Sequence, residues 1–276
     1  MSSPGLNEAS LAEAQRRYRR INRWFLVCWV LMPLGIILPC ILSIITYQIW
    51  GDEVSAPIGL SALLWPLVGL AGVLLLRGGR KRAKRMLALA RLGDSLGFKF
   101  TCYPTSEQYA FMKSVSFVEN SHLQTAQNLM EGDQGRWPMT ALDFEYTFFW
   151  GSVTEIGSQT IAAFHSGFES LPALAVVPIS TMGRIENMLL GKGNAIRFPH
   201  HPEFNARFAV LSADEANILA LISPALIDLL LADRLLTLVV EQGRLLVFRR
   251  LTYVRAEDYR QFLGQAYRAA ELLSPR

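Results

Sequence analysis

The sequence predicts an α+β protein in which a two-helix transmembrane hairpin precedes a largely antiparallel sheet packed with helices. Three observations lead there. Two long stretches, Trp24 to Gly51 and Val54 to Leu76, contain no Asp, Glu, Lys, Arg or His. Both are flanked by basic clusters on one side only. Beyond residue 97, short alternating segments are interleaved with helical patterns and turn residues, the signature of a sheet backed by helices.

Each uncharged stretch exceeds the roughly 20 residues that a helix rising 1.5 Å per residue needs to cross about 30 Å of hydrocarbon. Only Asp52 and Glu53 stand in the short link between them, so the two form an antiparallel hairpin with both ends in one compartment, and Ser55 with Pro57 is suitable start chemistry for the second helix. Pro33, Pro39 and Pro66 are expected to kink these helices. Trp24, Trp29, Tyr47 and Trp50 lie toward the ends of the first span, where amphipathic rings favour the interface, although simple packing also accounts for them.

Charge fixes the orientation. Arg16, Arg17, Arg19, Arg20 and Arg23 precede the first span, and Arg77, Arg80, Lys81, Arg82, Lys84 and Arg85 follow the second. Basic residues flanking spans stay in the cytoplasm, so both termini are predicted inside a bacterial inner membrane as a multi-pass protein. The second cluster is also placed to touch anionic headgroups. A cleaved signal peptide would have a shorter apolar region, and a twin-arginine signal would not lead into a hairpin. Neither span contains an ionisable group that would mark an ion or proton path, which favours an anchor over a transporter.

The chain carries 27 Lys and Arg against 23 Asp and Glu, a net charge of +4, and its mean hydropathy of +0.24 leans toward a membrane. Residues 1–90 hold eleven basic against four acidic residues, a net +7, leaving sixteen against nineteen, a net −3, for the rest. The basic excess is thus local, and nucleic acid is not an expected partner. The three cysteines have no metal-type spacing, and Cys28 and Cys40 are about 18 Å apart along one helix, too far for a disulfide. The organisation expected is a basic N-terminal segment 1–23, a hairpin 24–76, a basic juxtamembrane helix 77–97 and a cytoplasmic domain 98–276.

Within that domain, Met86, Leu87, Leu89, Ala90, Leu92 and Leu96 repeat at helical spacing up to Gly97, a suitable C-terminal cap. FKFTCY (98–103) alternates as a strand, Thr105 to Gln108 forms a capping box for a short helix, and residues 113–135 have no clear period. MTALDFEYTFFW (139–150) is the clearest strand, with Leu142, Phe144, Tyr146 and Phe148 on one face and Asp143, Glu145 and Thr147 on the other. GSVTEIGSQ (151–159) reads as a polar turn into the strand TIAAFHS (160–166). Further strands are ALAVVP, AIRF and FAVL, with a helix at 182–190, a turn at GKGN (191–194), a capping box at Ser212 to Glu215, and helical spacing from Ile218 to Leu231 broken at Ser223-Pro224. A last hairpin turns near Gln242-Gly243, and a final amphipathic helix buries Tyr259, Phe262, Leu263, Ala266, Ala270 and Leu273.

The series GRWPMTALDFEYTF, LPALAVVP, GNAIRFPHHPEFNARFAV and LLVF, over about Leu92 to Leu273, resembles a broad group of uncharacterised bacterial membrane-anchored proteins with one or two N-terminal spans and a cytoplasmic α+β domain. The resemblance implies a domain type and no mechanism.

The candidate catalytic residues are Asp143, Glu145 and His165. Alternate strand residues put the two carboxylates about 7 Å apart, a separation that inverting glycosidases use, while polar-out alternation produces such pairs without any chemistry. His165 joins them if the hairpin brings it onto the same face. His200-His201 lacks a third ligand, His122 stands alone, and GKGN lacks the four-residue spacing and Gly-Lys-Ser/Thr ending of a phosphate loop, so no metal or cofactor is expected. The leading expectation is a membrane-anchored binding or scaffold domain without catalysis, whose partners are the lipid bilayer and an unidentified protein or small ligand. The alternative is a membrane-tethered enzyme, a hydrolase, using Asp143, Glu145 and His165.

Overall fold

The computed structural model describes residues 4–50, 76–115, 123–133, 136–150, 153–179 and 194–274. The chain divides into two compact units, one of residues Glu8–Ala88 and the other of Met1–Asn7 with Leu89–Arg276.

In the first unit, helix α1 (Pro4–Trp50) runs unbroken, so the basic segment and the first uncharged stretch are one helix that continues across Pro33 and Pro39. Helix α2 is described over 76–96. Arg80 of α2 stacks 4.9 Å from the centre of the Phe25 ring, and a Cβ on Gly79 would lie 3.9 Å from the Ile21 side chain. Beyond Arg23, α1 leaves Trp24, Leu26, Trp29, Val30, Leu31, Ile37, Ile44 and Ile49 more than half exposed, with Val27, Ile41 and Ile45 also on its surface. At 3.6 residues per turn these positions fan over more than half of the helix circumference. The second expected span lies, from 54 to 75, outside the described residues, as do most side chains between 32 and 50. Among the described residues no single helix is long and apolar enough to cross a membrane.

The second unit is α+β, built on a large antiparallel sheet. The strands are β1 (Lys99–Thr101), β2 (Leu123–Asp133), β3 (Pro138–Trp150), β4 (Val153–Phe164), β5 (Leu174–Pro178), β6 (Asn194–Ile196), β7 (Phe208–Ser212), β8 (Leu236–Glu241) and β9 (Arg244–Arg249). They form one sheet of order β1-β2-β3-β4-β9-β8-β5-β7-β6. The C-terminal hairpin therefore inserts between the first four strands and the last three. Its tight turn uses Gln242 (φ 52°) and Gly243 (φ 73°), the two left-handed positions that match strand twist.

Both faces of the sheet are covered. On one, α6 (Tyr259–Leu273) packs on β4 and β9 through Tyr267 against Phe164, their rings 5.2 Å apart. Gly93 in the last turns of α2 sits against Met130 and Phe100. All six residues of the predicted α6 stripe are buried. On the other face Leu142, Phe144, Tyr146, Ile161, Val239 and Phe248 share a core with Met112 and Val115 from the segment after β1. Helices α3 (Pro202–Arg207), α4 (Glu215–Leu221) and α5 (Pro224–Ala232) complete the unit. Taken together, α4 and α5 are also apolar enough for a broken span, but they bend by 78° at Ser223 and bury Ile218, Leu226, Ile227 and Leu230. The Ser223 hydroxyl caps α5 by accepting from the Leu226 amide. Arg249 on β9 pairs with Asp233 at the end of α5, with its Nε 2.8 Å from the carboxylate, and donates to Gln265 of α6. Both members of this pair are largely shielded from water, so removing one leaves an expensive unpaired charge.

Several elements differ from the sequence expectations. Residues 123–133, which have no clear period, form the long strand β2, because a bulge between Gln127 and Met130 puts Ala126 and Leu129 on the same face and breaks the alternation. Asn128 in that bulge takes the left-handed φ of 55°. The stretch read as a polar turn from 151 to 159 is strand from Val153 onward, held by pairing of Trp150 with Val153 through to Asp143 with Thr160. The box at Thr105 yields a turn, with the Thr105 amide donating to Gln108 at 2.8 Å, followed by a 3-10 turn Ala110–Ser114. The cap of α4 is Asp214, accepting from the Asn217 amide, while Ser212 donates to the Ala173 carbonyl instead. The predicted helix at 182–190 and most of GKGN lie outside the described residues.

Candidate functional site

Strand β3 is continuous and pairs with β4 without a register shift from Met139 to Trp150, so odd and even residues face opposite ways. Asp143 and Glu145 therefore share one face. Asp143 is not on a solvated surface. It is 3% exposed, and both of its oxygens accept hydrogen bonds, one from Thr160 Oγ1 at 2.7 Å and one from Asn128 Nδ2 at 2.8 Å. The expectation of a water-facing polar side is corrected here for Asp143, because the β2 bulge brings Asn128 to it and the segment after β9 lies alongside Thr160, its other partner.

This buried carboxylate organises the backbone around it. Thr160 donates to Asp143 and uses the same hydroxyl to accept from the Val254 amide at 3.0 Å, which holds the chain beyond β9 alongside β4. Asn128 anchors the β2 bulge to β3 through the carboxylate, and its own amide donates to the Cys102 carbonyl. Glu145, half-buried, accepts from the Tyr253 hydroxyl at 2.6 Å. Tyr253 and Thr160 thus fasten the post-β9 segment at two points, one on each acid of the pair.

His165 lies elsewhere. Its Nε2 is 2.7 Å from Thr140 Oγ1, and Thr140 is an even residue of β3, on the face opposite Asp143. Thr140 also stands three positions from Asp143, about 10 Å along β3. The Phe111 ring meets the imidazole edge-on at 4.8 Å between centroids. Burial pushes the His165 pKa below its usual value, Arg244 pushes the same way, and Glu131 opposes them. The three candidate catalytic residues do not converge: the two acids hold backbone segments together on one face, and the histidine closes the core on the other. That arrangement removes the acid-base cluster on which a hydrolase reading rests.

On the same face as His165, Tyr146 lies over Gly157, where an added Cβ would come 2.3 Å from the ring. Burial raises the Tyr146 pKa to about 12 despite the opposing charge of Arg250, so the phenol stays protonated at neutral pH. Gln159, two residues along β4, is fully buried with neither amide atom hydrogen-bonded. His200 is exposed and His201 precedes α3 at its cap position, while His122 lies outside the described residues. Among the described residues no group of three or more His, Cys, Asp or Glu is arranged to hold a metal. The partners of Asp143 and Glu145 sit 15, 17 and 108 residues away, and no local sequence signal announces any of them.

In the first unit a groove of about 840 Å³ runs along α1, lined by Ser10, Glu13, Arg16, Arg17, Arg20 and Ile21 among others. No protein-family model, curated protein or solved structure matches the chain.

Proposed function

We propose that this protein is a two-span protein of the bacterial inner membrane whose hairpin tethers a non-catalytic α+β binding or scaffold domain on the cytoplasmic side. The contact of Arg80 with Phe25 carries the reading. Phe25 stands 27 positions before Asp52 and Arg80 27 positions after Glu53, the pairing expected of a chain that runs out about 40 Å, turns at the acidic link and returns in register. The broad exposed apolar surface of α1 supports it too, since water would oppose leaving so many large side chains uncovered while lipid accepts them.

The same pairing sets Arg80 beside the level of Arg23, so the two basic clusters flank the hairpin together. Arg77, Arg80, Lys81, Arg82, Lys84 and Arg85 then serve as the topology signal and as headgroup contacts, each contributing about 1 kcal/mol near an anionic surface. An alkaline phosphatase fused after Leu273 should be inactive, and one fused after Glu53 active, because that reporter works only once exported. Activity after Leu273 would overturn the orientation. Release of the unmodified chain from membranes by alkaline carbonate would overturn the anchor.

A further inference from the structure

We infer that the α1 face bearing Arg16, Arg17 and Arg20 is a binding site for a phospholipid whose headgroup carries two phosphates, an inference that rests on the membrane reading above. The groove there has room for more than a single ion at about 840 Å³. Its lining follows helical spacing: Glu13, Arg16 and Arg20 form one stripe, and Ser10, Arg17 and Ile21 the next. Among its described lining residues, three guanidinium groups and one carboxylate sum to +2, which matches a doubly charged headgroup. Each planar guanidinium offers paired donors that fit phosphate oxygens, and Ser10 adds a hydroxyl.

Position selects a lipid over a free phosphate anion, which would share this chemistry. Trp24 begins the uncharged stretch, so Arg20 and Arg16 lie about 6 and 12 Å outside the apolar boundary, at and just beyond the headgroup layer of about 5–8 Å. Below Arg20 the same stripe of α1 continues through Trp24, Val27 and Leu31, exposed by 59%, 37% and 57%. A ligand seated on it meets arginines at one end and an apolar strip at the other, the pattern of a phosphodiester headgroup with acyl chains.

The full-length chain, reconstituted in phosphatidylcholine vesicles doped at equal total charge with either diphosphatidylglycerol or phosphatidylglycerol, would be re-extracted in mild detergent and its retained lipid measured by native mass spectrometry. The expected result is selective retention of diphosphatidylglycerol, lowered about tenfold or more in the variant Arg16→Gln/Arg17→Gln/Arg20→Gln and lowered less in the triple Arg→Lys variant, which keeps charge and topology but loses the paired donors. Equal retention of the two lipids, or retention unchanged in both variants, overturns the site. Displacement of the bound lipid by inorganic pyrophosphate in place of competing lipid overturns the lipid assignment. Alkaline carbonate extraction of the same vesicles separates the failures: a chain that resists extraction without selectivity loses only this inference, whereas an extracted chain loses the membrane reading with it.

Discussion

The guanidinium of Arg80 stands 4.9 Å above the Phe25 ring, and Gly79, one residue earlier, faces the Ile21 side chain, 3.9 Å from where a Cβ would sit. A cation against an aromatic face contributes about 0.5–1 kcal/mol when exposed and more when water is excluded. Its value here lies in register: it fixes which turn of α2 meets which turn of α1.

That register is open to crosslinking. With the native cysteines replaced by serine, Ile21→Cys/Gly79→Cys should form a disulfide rapidly under mild oxidation in membranes, while Ile21→Cys/Arg85→Cys, six residues or about 9 Å further along α2, should not. Equal crosslinking of the two pairs would rule out the proposed pairing.

Asp143 holds its neighbours as a buried acceptor of two side-chain hydrogen bonds. Asp143→Ala should lower stability by about 2–4 kcal/mol, because it strands Thr160 and Asn128 as well as leaving a cavity. Asp143→Asn should cost less, since it keeps the shape and one acceptor. Denaturant midpoints of the detergent-solubilised chain provide the measurement, and an unchanged midpoint in Asp143→Ala would contradict the assigned role.

Gly157 is required by the Tyr146 ring, whose carbons lie 2.3 Å from the position an added Cβ would take. Gly157→Ala is expected to destabilise by about 1–3 kcal/mol through overpacking. In the double variant with Tyr146→Ala that penalty should largely vanish, so a double-mutant cycle must show a coupling of at least about 1 kcal/mol. Additive effects would mean that the ring is not the obstacle.

The Gln159 amide is buried with no partner on either atom. Replacing it with Met keeps length and removes an unsatisfied polar group, so Gln159→Met should raise stability by about 1–2 kcal/mol. Destabilisation by the same amount would show that the amide is bonded in solution.

His165 gives a pH dependence. Its folded pKa is lowered, first by burial and then by Arg244, with Glu131 opposing, so below the unfolded value of about 6.5 the unfolded chain binds the extra proton. Stability should therefore fall as pH drops below about 6.5, and continue falling until the lower folded pKa is passed, by at most about 1.4 kcal/mol per pH unit. His165→Gln, which retains a partner for Thr140, should flatten that slope between pH 7 and 5.5. A slope equal to that of the parent protein would assign the dependence to another group.

The sequence by itself determined the elements whose signal is local. The period of 3.6 from Tyr259 to Leu273 finds α6 and its buried stripe, Gln242-Gly243 gives the last turn, and Ser223-Pro224 marks the α4–α5 break. Alternation in β3 correctly separated two faces but had no means of saying what lies over each. Only the tertiary structure decided that, by burying Asp143 between Asn128 of the β2 bulge and Thr160 of β4 and by placing His165 on the opposite face. The bulge at Asn128 and the joining of Thr160 and Tyr253 to the two acids were likewise decided in three dimensions. The reason is physical: periodicity is set by neighbours along the chain, whereas burial and hydrogen-bond satisfaction are set by whichever distant segments arrive to exclude water.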